Sequence, residues 1–122
     1  GTQTYVADPD TTHNIWVFDT IGNTTLRIGS NDPDQIRAKQ GALLYPMDVV
    51  TLDDGTIVVA EYGRSQLALF DQNGIARGTV TATDLAVEFM CTQRLYGDWE
   101  RDSIALFARK DREIWLIRFT IT

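Results

Sequence analysis

The chain has 122 residues, of which 43% are hydrophobic and 23% charged, as expected for one soluble globular domain with a single modest core. Its 11 basic and 17 acidic residues give a net charge of −6, which steers a uniformly charged surface away from nucleic-acid phosphates. No apolar run approaches the roughly 20 residues that span a bilayer, and the single Cys91 excludes an internal disulfide and a cysteine metal cluster.

The first predicted elements lie between residues 5 and 29. Val6-Ala7-Asp8 ends one short strand, and a polar loop separates it from the run Ile15-Trp16-Val17-Phe18. A half-buried strand alternates apolar and polar residues, whereas this run is apolar throughout, so we predict a strand covered on both faces. The turn residues Asp19 to Gly22 then lead into a third strand.

The following segment contains no convincing helix. Its nearest candidate, Asp34 to Leu44, is interrupted by Gly41 and spaces its apolar residues poorly. Strands with two buried faces need a layer on each side, and without helices other sheets must supply those layers. The chain is therefore predicted to be all-β, with antiparallel sheets stacked in a propeller or a sandwich.

Residues 46–81 predict an antiparallel meander of four strands. Turn signals separate the first two strands and the last two, and a polar loop lies between the second and third. In the last turn, Asn73-Gly74 predicts a two-residue hairpin. The predicted strands are Met47 to Leu52, Ile57 to Ala60, Leu67 to Phe70 and Ile75 to Val80.

The chain repeats itself, because residues 6–22 echo residues 59–74 with one extra residue in the polar loop. A third, degraded copy has predicted strands at 85–90, 104–107 and 114–117, with an insertion at 91–102 in place of a short turn. The three copies thus carry strands b-c-d, a-b-c-d and a-b-c. The predicted core residues are Trp16, Phe18, Val59, Leu69, Phe70, Trp115 and Ile117.

At this point a family resemblance becomes specific. The series of Pro46, the strand Met47 to Leu52, the turn Asp54-Gly55, Val58 to Glu61 and Leu67 to Phe70 resembles an NHL repeat. That resemblance implies a β-propeller, usually of six blades with roughly 40 residues each. Related six-bladed propellers use similar repeats, and such a cousin is the alternative.

The resemblance divides the chain into an incomplete blade at 5–29, a complete blade at 46–81 and a degraded blade at 85–122. The third departs from the pattern, since Asp84 stands in place of the proline and Ala108 in place of the acid after the second strand. Three blades make about half of a six-bladed ring. We expect either another copy of this chain or a longer parent protein to complete it.

In a propeller the b–c and d–a connections share one face, which we call the b–c face. Its charges are mixed, whereas the opposite face is acidic. Basic and aromatic side chains on the b–c face are the candidate binding residues, and two aromatics in the insertion are a possible lid or contact. The binding candidates are Arg37, Lys39, Tyr62, Arg64, Arg109, Lys110 and Arg112, and the lid candidates are Tyr96 and Trp99.

Catalytic and metal-binding patterns are weak. His13, the single histidine, lies near Asp8 and Asp10, whose oxygens could bind a hard cation, but the spacing does not match a calcium loop. Asp8 and Glu61 occupy the same position in two copies, and we interpret both as structural acids that accept hydrogen bonds from loop amides. We therefore expect no catalytic residue, no metal and no cofactor.

The sequence favours a non-enzymatic interaction module that binds a protein or peptide through the b–c face. One alternative is single-stranded RNA binding, which the resemblance implies because some NHL domains bind RNA there. The other is a fragment of a propeller lyase or lactonase. We expect neither DNA nor a membrane as a partner, and we expect the chain to be at least a dimer.

Overall fold

A computed structural model describes residues 3–29, 42–52 and 54–85, and the backbone of three further strands. The described residues form ten strands and one 3-10 turn, and no described helix is long and apolar enough to cross a membrane. The strands are β1 (Thr4–Asp8), β2 (Asn14–Phe18), β3 (Thr24–Ile28), β4 (Pro46–Thr51), β5 (Ile57–Glu61), β6 (Gln66–Phe70), β7 (Ala76–Thr81), β8 (Arg94–Asp98), β9 (Ser103–Lys110) and β10 (Glu113–Thr120). The 3-10 turn is Tyr62–Arg64.

The strands form three antiparallel sheets in which each strand pairs with its neighbour in the chain. Sheet 1 is β1-β2-β3, sheet 2 is β4-β5-β6-β7 and sheet 3 is β8-β9-β10. The prediction of antiparallel sheets without helices is confirmed for the described residues, and most of the helix candidate Asp34 to Leu44 lies outside them. The sheets contain three, four and three strands, as the repeat alignment predicts.

The first strand of sheet 3 is β8 at Arg94–Asp98, inside the segment predicted as an insertion. Of the strand predicted at 85–90, Leu85 lies in a turn and the remaining residues lie outside the described part of the chain. Asp98 pairs with Ser103, so only four residues connect β8 to β9. A short connection closes a hairpin more readily than the 12-residue insertion that a strand at 85–90 would require.

The turns of sheets 1 and 2 show that the sequence repeat is also a structural repeat. Asp19 Oδ1 accepts hydrogen bonds from the amides of Ile21 and Asn23, at 3.0 and 2.9 Å. Asp71 Oδ1 accepts the equivalent pair from Asn73 and Ile75, at 2.9 and 3.0 Å. A register shift precedes the turn in both sheets, between Val17 and Phe18 in β2 and between Leu69 and Phe70 in β6.

The turn after β6 is not the predicted two-residue hairpin. The Gly74 amide donates to Asp71 O at 3.0 Å and the Asp71 amide donates to Ile75 O at 2.9 Å, which leaves three residues in the loop. Gly74 has a φ of 81°, whereas Asn73 does not have the positive φ that a two-residue Asn-Gly turn requires. The Asp71 carboxylate favours the longer loop, since it accepts the two amides that face into it.

The core lies on both faces of sheet 2. Every residue of β5 is buried, and alternate side chains enter two separate clusters. Ile57 and Val59 pack against sheet 1, whereas Val58 and Ala60 pack on the opposite face with Leu67. β5 is therefore a strand with two buried faces.

Sheet 1 buries one face more completely than the other. Ile15 and Val17 are buried, with Ile15 in the cluster shared with sheet 2. Trp16 and Phe18 alternate with them and are only partly buried, as is Leu69 in sheet 2, so the prediction of full burial is wrong for these three. It is right for Val59 and Phe70. The predictions for Trp115 and Ile117 lie outside the described side chains.

The first strands of the three sheets lie side by side. β4 contacts both β1 and β8. The segment that enters β4 forms hydrogen bonds with the loops that follow β1 and β5. The candidate site lies there.

Candidate functional site

The site is organised by residues 42–45, which lead into β4 and which we call the crossover segment. Leu43 is completely buried in the cluster between sheets 1 and 2, and Pro46 is buried at the start of β4. Ala42 and Leu44, on either side of Leu43, form hydrogen bonds with the loop after β5 through their backbone groups. Burial of the Leu43 side chain thus fixes the position of the crossover segment on the b–c face.

Glu61 is the polar centre of this arrangement, with a side chain that is 0% exposed. Its Oε2 accepts hydrogen bonds from the Leu44 amide, at 2.7 Å, and from Arg64 Nη1. Its Oε1 accepts one from Gln66 Nε2 at 2.7 Å. A buried carboxylate is tolerated when it is paired and hydrogen-bonded in this way. The interpretation of Glu61 as a structural acid that binds a loop amide is confirmed.

Backbone hydrogen bonds attach the 3-10 turn to the same segment. The Tyr62 amide donates to Tyr45 O, and the Gly63 amide donates to Leu44 O, both at 3.0 Å. A Cβ atom at Gly63 would collide with the side chain and the carbonyl oxygen of Leu44. Glycine is therefore required where these two backbones meet.

His13 holds the other side of the crossover segment. Its Nδ1 accepts a hydrogen bond from the Tyr45 amide at 2.9 Å, and the two rings meet edge to face with centroids 4.5 Å apart. His13 has a φ of 55°, and its counterpart in the repeat, Ser65, has a φ of 49°. The local conformation is thus part of the repeat, and the contact with Tyr45 is specific to His13.

Asp8 is the counterpart of Glu61 in sheet 1. Its carboxylate accepts hydrogen bonds from Thr12 Oγ1 at 2.7 Å and from the amides of Thr11 and Thr12 at 3.3 Å. The hydroxyl of Thr12, followed by these amides, holds the pKa of Asp8 below its usual value of 3.8. Its interpretation as a structural acid is likewise confirmed. Within the described residues, no group of three or more His, Cys, Asp or Glu side chains is arranged to hold a metal ion.

The predicted binding residues have different positions in the structure. Tyr62 is 45% exposed, whereas the Arg64 side chain is 24% exposed and donates to Glu61 and to Ala42 O. Arg109 and Lys110 end β9, beside the connection to β10, and nothing is described of their side chains. Tyr96 lies in β8 and not in a loop. The predictions for Arg37, Lys39, Trp99 and Arg112 lie outside the described residues.

Two exposed residues of the site were missed by the sequence analysis. Tyr45 is 43% exposed and lies next to Tyr62 through the hydrogen bond between their backbones. Met47, also exposed, follows it at the start of β4. The available signal was Pro46, because the residue before a proline is disfavoured in a helix, which places Tyr45 in a loop or extended segment. The φ of 50° at Tyr45 had no sequence signal.

Around sheets 1 and 2, the described part of the b–c face is acidic. The strand ends and connections described there contain four carboxylates and one arginine, and the arginine is paired with a carboxylate. The carboxylates are Asp8, Asp10, Glu61 and Asp84, and the arginine is Arg64.

A polar cleft of about 410 Å³ lies at the opposite end of sheets 1 and 2. It is open to solvent, and its described lining residues contribute amide and hydroxyl groups and no charged side chain. The lining residues are Gln3, Tyr5, Thr51, Leu52, Gly55, Gln72 and Asn73. The sequence analysis did not predict this cleft.

No protein-family model matches the chain, and no curated protein matches it significantly.

Proposed function

We propose that the chain is a non-enzymatic interaction module that binds a protein or peptide through its b–c face. The exposed pair Tyr45 and Tyr62, held on a rigid support, is the observation that carries this proposal. Tyrosine combines apolar area with a hydroxyl group and loses little conformational entropy on binding, so it is enriched at binding hot spots.

The support is rigid because each tyrosine is held through its backbone. Tyr45 donates its amide to His13 and accepts the Tyr62 amide at its carbonyl oxygen, and Glu61 anchors the preceding Leu44. A preformed surface does not have to be ordered when the partner binds, which favours affinity.

We further propose that the sheets are blades of an NHL-like β-propeller. Support comes from the repeated turn geometry of sheets 1 and 2, from the burial of both faces of sheet 2, and from the adjacent first strands of all three sheets. In this arrangement a second copy of the chain or a longer parent protein supplies the other blades.

Single-stranded RNA is the alternative ligand, and one observation favours it. Arg109 and Lys110 lie at the end of β9, where a b–c connection begins, and basic residues at such a site bind phosphates. Against RNA, the part of the face described around sheets 1 and 2 has an excess of carboxylates, and the Arg64 guanidinium is already bound by Glu61.

A peptide-display experiment tests the proposed function. Wild-type protein should enrich peptides from a random library, and Tyr62→Ala should weaken their binding at least about fivefold, as expected for an interface aromatic. Ile21→Ala is the matched control, because Ile21 is exposed on the β2–β3 turn and lies far from the crossover segment in the chain. A library that yields no enriched peptide, or peptides that bind Tyr62→Ala as well as wild type, would refute the proposal.

A further inference from the structure

The turn between β6 and β7 contains the pair Asn73-Gly74, in which the asparagine side chain is chemically labile. The backbone nitrogen of the residue after an asparagine attacks the side-chain carbonyl carbon. A new C–N bond closes a succinimide ring, and the side-chain –NH2 leaves with the proton of the attacking nitrogen as ammonia. Water then opens the ring to aspartate or isoaspartate. Glycine favours the attack, because it has no Cβ to obstruct the nitrogen.

The position of Asn73 makes it accessible to this reaction. Its side chain is exposed and lines the polar cleft at the end of sheets 1 and 2, so water reaches it. The counterpart of Asn73 in the repeat is Ile21, whose side chain has no such chemistry. Conversion of Asn73 to aspartate or isoaspartate would place a negative charge on the wall of the cleft.

Hydrogen bonds restrain the nitrogen that must attack. The Gly74 amide donates to Asp71 O at 3.0 Å, and the Asp71 carboxylate accepts the amides of Asn73 and Ile75 at 2.9 and 3.0 Å. Gly74 also lies against sheet 1, since a Cβ atom there would be 3.2 Å from a methyl carbon of Leu26. The turn therefore has to open before the Gly74 nitrogen can reach the Asn73 side chain, and opening breaks these hydrogen bonds.

From this geometry we infer that Asn73 is a deamidation site whose rate is set by opening of the β6–β7 turn, and that the Asp71 carboxylate slows the reaction. The reaction consumes only water and releases ammonia, so it needs no enzyme. The inference is independent of the proposed binding function, because the cleft lies at the end of the sheets opposite to the b–c face.

The test measures deamidation of Asn73 in the whole chain at mildly alkaline pH. Trypsin cleaves after Arg64 and Arg77, and mass spectrometry of peptide 65–77 gives the fraction in which the carboxamide of Asn73 has become a carboxyl group. Folded wild-type protein should react more slowly than the same chain in urea. Asp71→Ala should react about two- to tenfold faster than folded wild type, the factor that one hydrogen bond of ordinary strength supplies. Asp71→Asn keeps an acceptor oxygen and should react like wild type.

Asp19→Ala is the matched control, because Asp19 accepts the equivalent pair of amides in sheet 1. It should leave the rate at Asn73 unchanged. Equal acceleration by Asp19→Ala and Asp71→Ala would assign the effect to global stability and overturn the role of Asp71, as would equal rates in Asp71→Ala and wild type. Equal rates in folded and urea-unfolded wild type would overturn control by the turn, and that comparison does not depend on whether a variant folds.

Discussion

A single buried carboxylate connects two loops of this protein. Glu61 binds the crossover segment through Leu44, the 3-10 turn through Arg64, and the start of β6 through Gln66. Since these groups come from three different stretches of the chain, the carboxylate determines how the exposed tyrosines are presented. Its contribution is best tested with a substitution that preserves shape.

Glu61→Gln should lower the free energy of unfolding by about 1–3 kcal/mol, the range for hydrogen bonds to charged groups. The amide keeps one acceptor oxygen but removes the charge that the Arg64 guanidinium binds. Urea denaturation monitored by tryptophan fluorescence measures the change. Asp10→Asn is the control, because Asp10 is exposed and should alter stability by less than about 0.5 kcal/mol. If Glu61→Gln also changes the free energy of unfolding by less than about 0.5 kcal/mol, the buried charge is not needed for stability.

Because of three carboxylates near turns, the free energy of unfolding depends on pH in the acidic range. The Thr12 hydroxyl lowers the pKa of Asp8, the Asn23 amide lowers that of Asp19, and the Thr56 amide lowers that of Asp54, each from a usual value of 3.8. Because the folded state lowers these pKa values, the stabilisation is complete above the unfolded value and is lost as pH falls through the folded values. The relevant window thus begins near pH 5 and extends below 3.8.

The prediction is that a triple variant, Asp8→Asn, Asp19→Asn and Asp54→Asn, has a flatter stability profile than wild type below about pH 5. Urea midpoints at pH 6, 4 and 3 provide the measurement. Parallel profiles for the two proteins would mean that these carboxylates titrate alike in the folded and unfolded chains. Asp10→Asn again serves as the control, and its profile should follow that of wild type.

The contrast between Arg64 and Tyr45 shows how far the site could be predicted. Sequence position correctly placed Tyr62 and Arg64 in the loop after β5, because the apolar run and the glycine mark that loop. It could not show that Arg64 is paired with Glu61 or that Tyr45 is exposed beside Tyr62. Those facts depend on the path of the crossover segment, which is fixed by long-range contacts of Leu43 and His13.

At the scale of elements, β6 divides its side chains between two cores. Phe70 is 1% exposed in the cluster between sheets 1 and 2, whereas Leu69 is partly exposed against the other cluster. Phe70→Ala should therefore cost about 3–5 kcal/mol of unfolding free energy. Leu69→Ala should cost less, because part of its side chain is already in solvent. Urea denaturation of both variants checks the order, and a change within 0.5 kcal/mol at Phe70 would contradict its place in the core.

The sequence predicted the strands that local signals mark, and it missed the features that depend on which strands pair. Apolar runs and turn residues predicted β2, β5 and β6 closely, and the repeat predicted how strands divide among sheets. β8 was not predicted, because Arg94 to Asp98 contain only two apolar side chains and lie in a polar stretch that was interpreted as an insertion. Its pairing with β9 defines this strand, and pairing is not visible in a single sequence. Likewise, an apolar run alone could not show which face of sheet 1 stays exposed.

At the scale of the whole molecule, sheets 1 and 2 present equivalent faces in different environments. Val59 and Phe70 of sheet 2 are buried beneath sheet 1. Their counterparts in the repeat, Val6 and Phe18, lie on the outer face of sheet 1, where Val6 is 42% exposed and Phe18 partly so. From the repeat we therefore predict that another sheet covers this outer face.

We predict that the isolated chain covers this face by forming at least a dimer. A second copy supplies sheets of the same kind, and burial of Val6, Trp16 and Phe18 provides the apolar contact area. Sedimentation velocity across a dilution series should give a mass above the 13.7 kDa of one chain. Val6→Lys should shift the protein toward monomer, because a charge at the covered face would be desolvated. The same substitution at Ile21, exposed on the β2–β3 turn, should leave the mass unchanged.

A stable, non-aggregating species of 13.7 kDa at all concentrations would contradict self-association. The outer face of sheet 1 would then tolerate solvent as it stands, and the Arg27 guanidinium over Trp16 would be part of the reason.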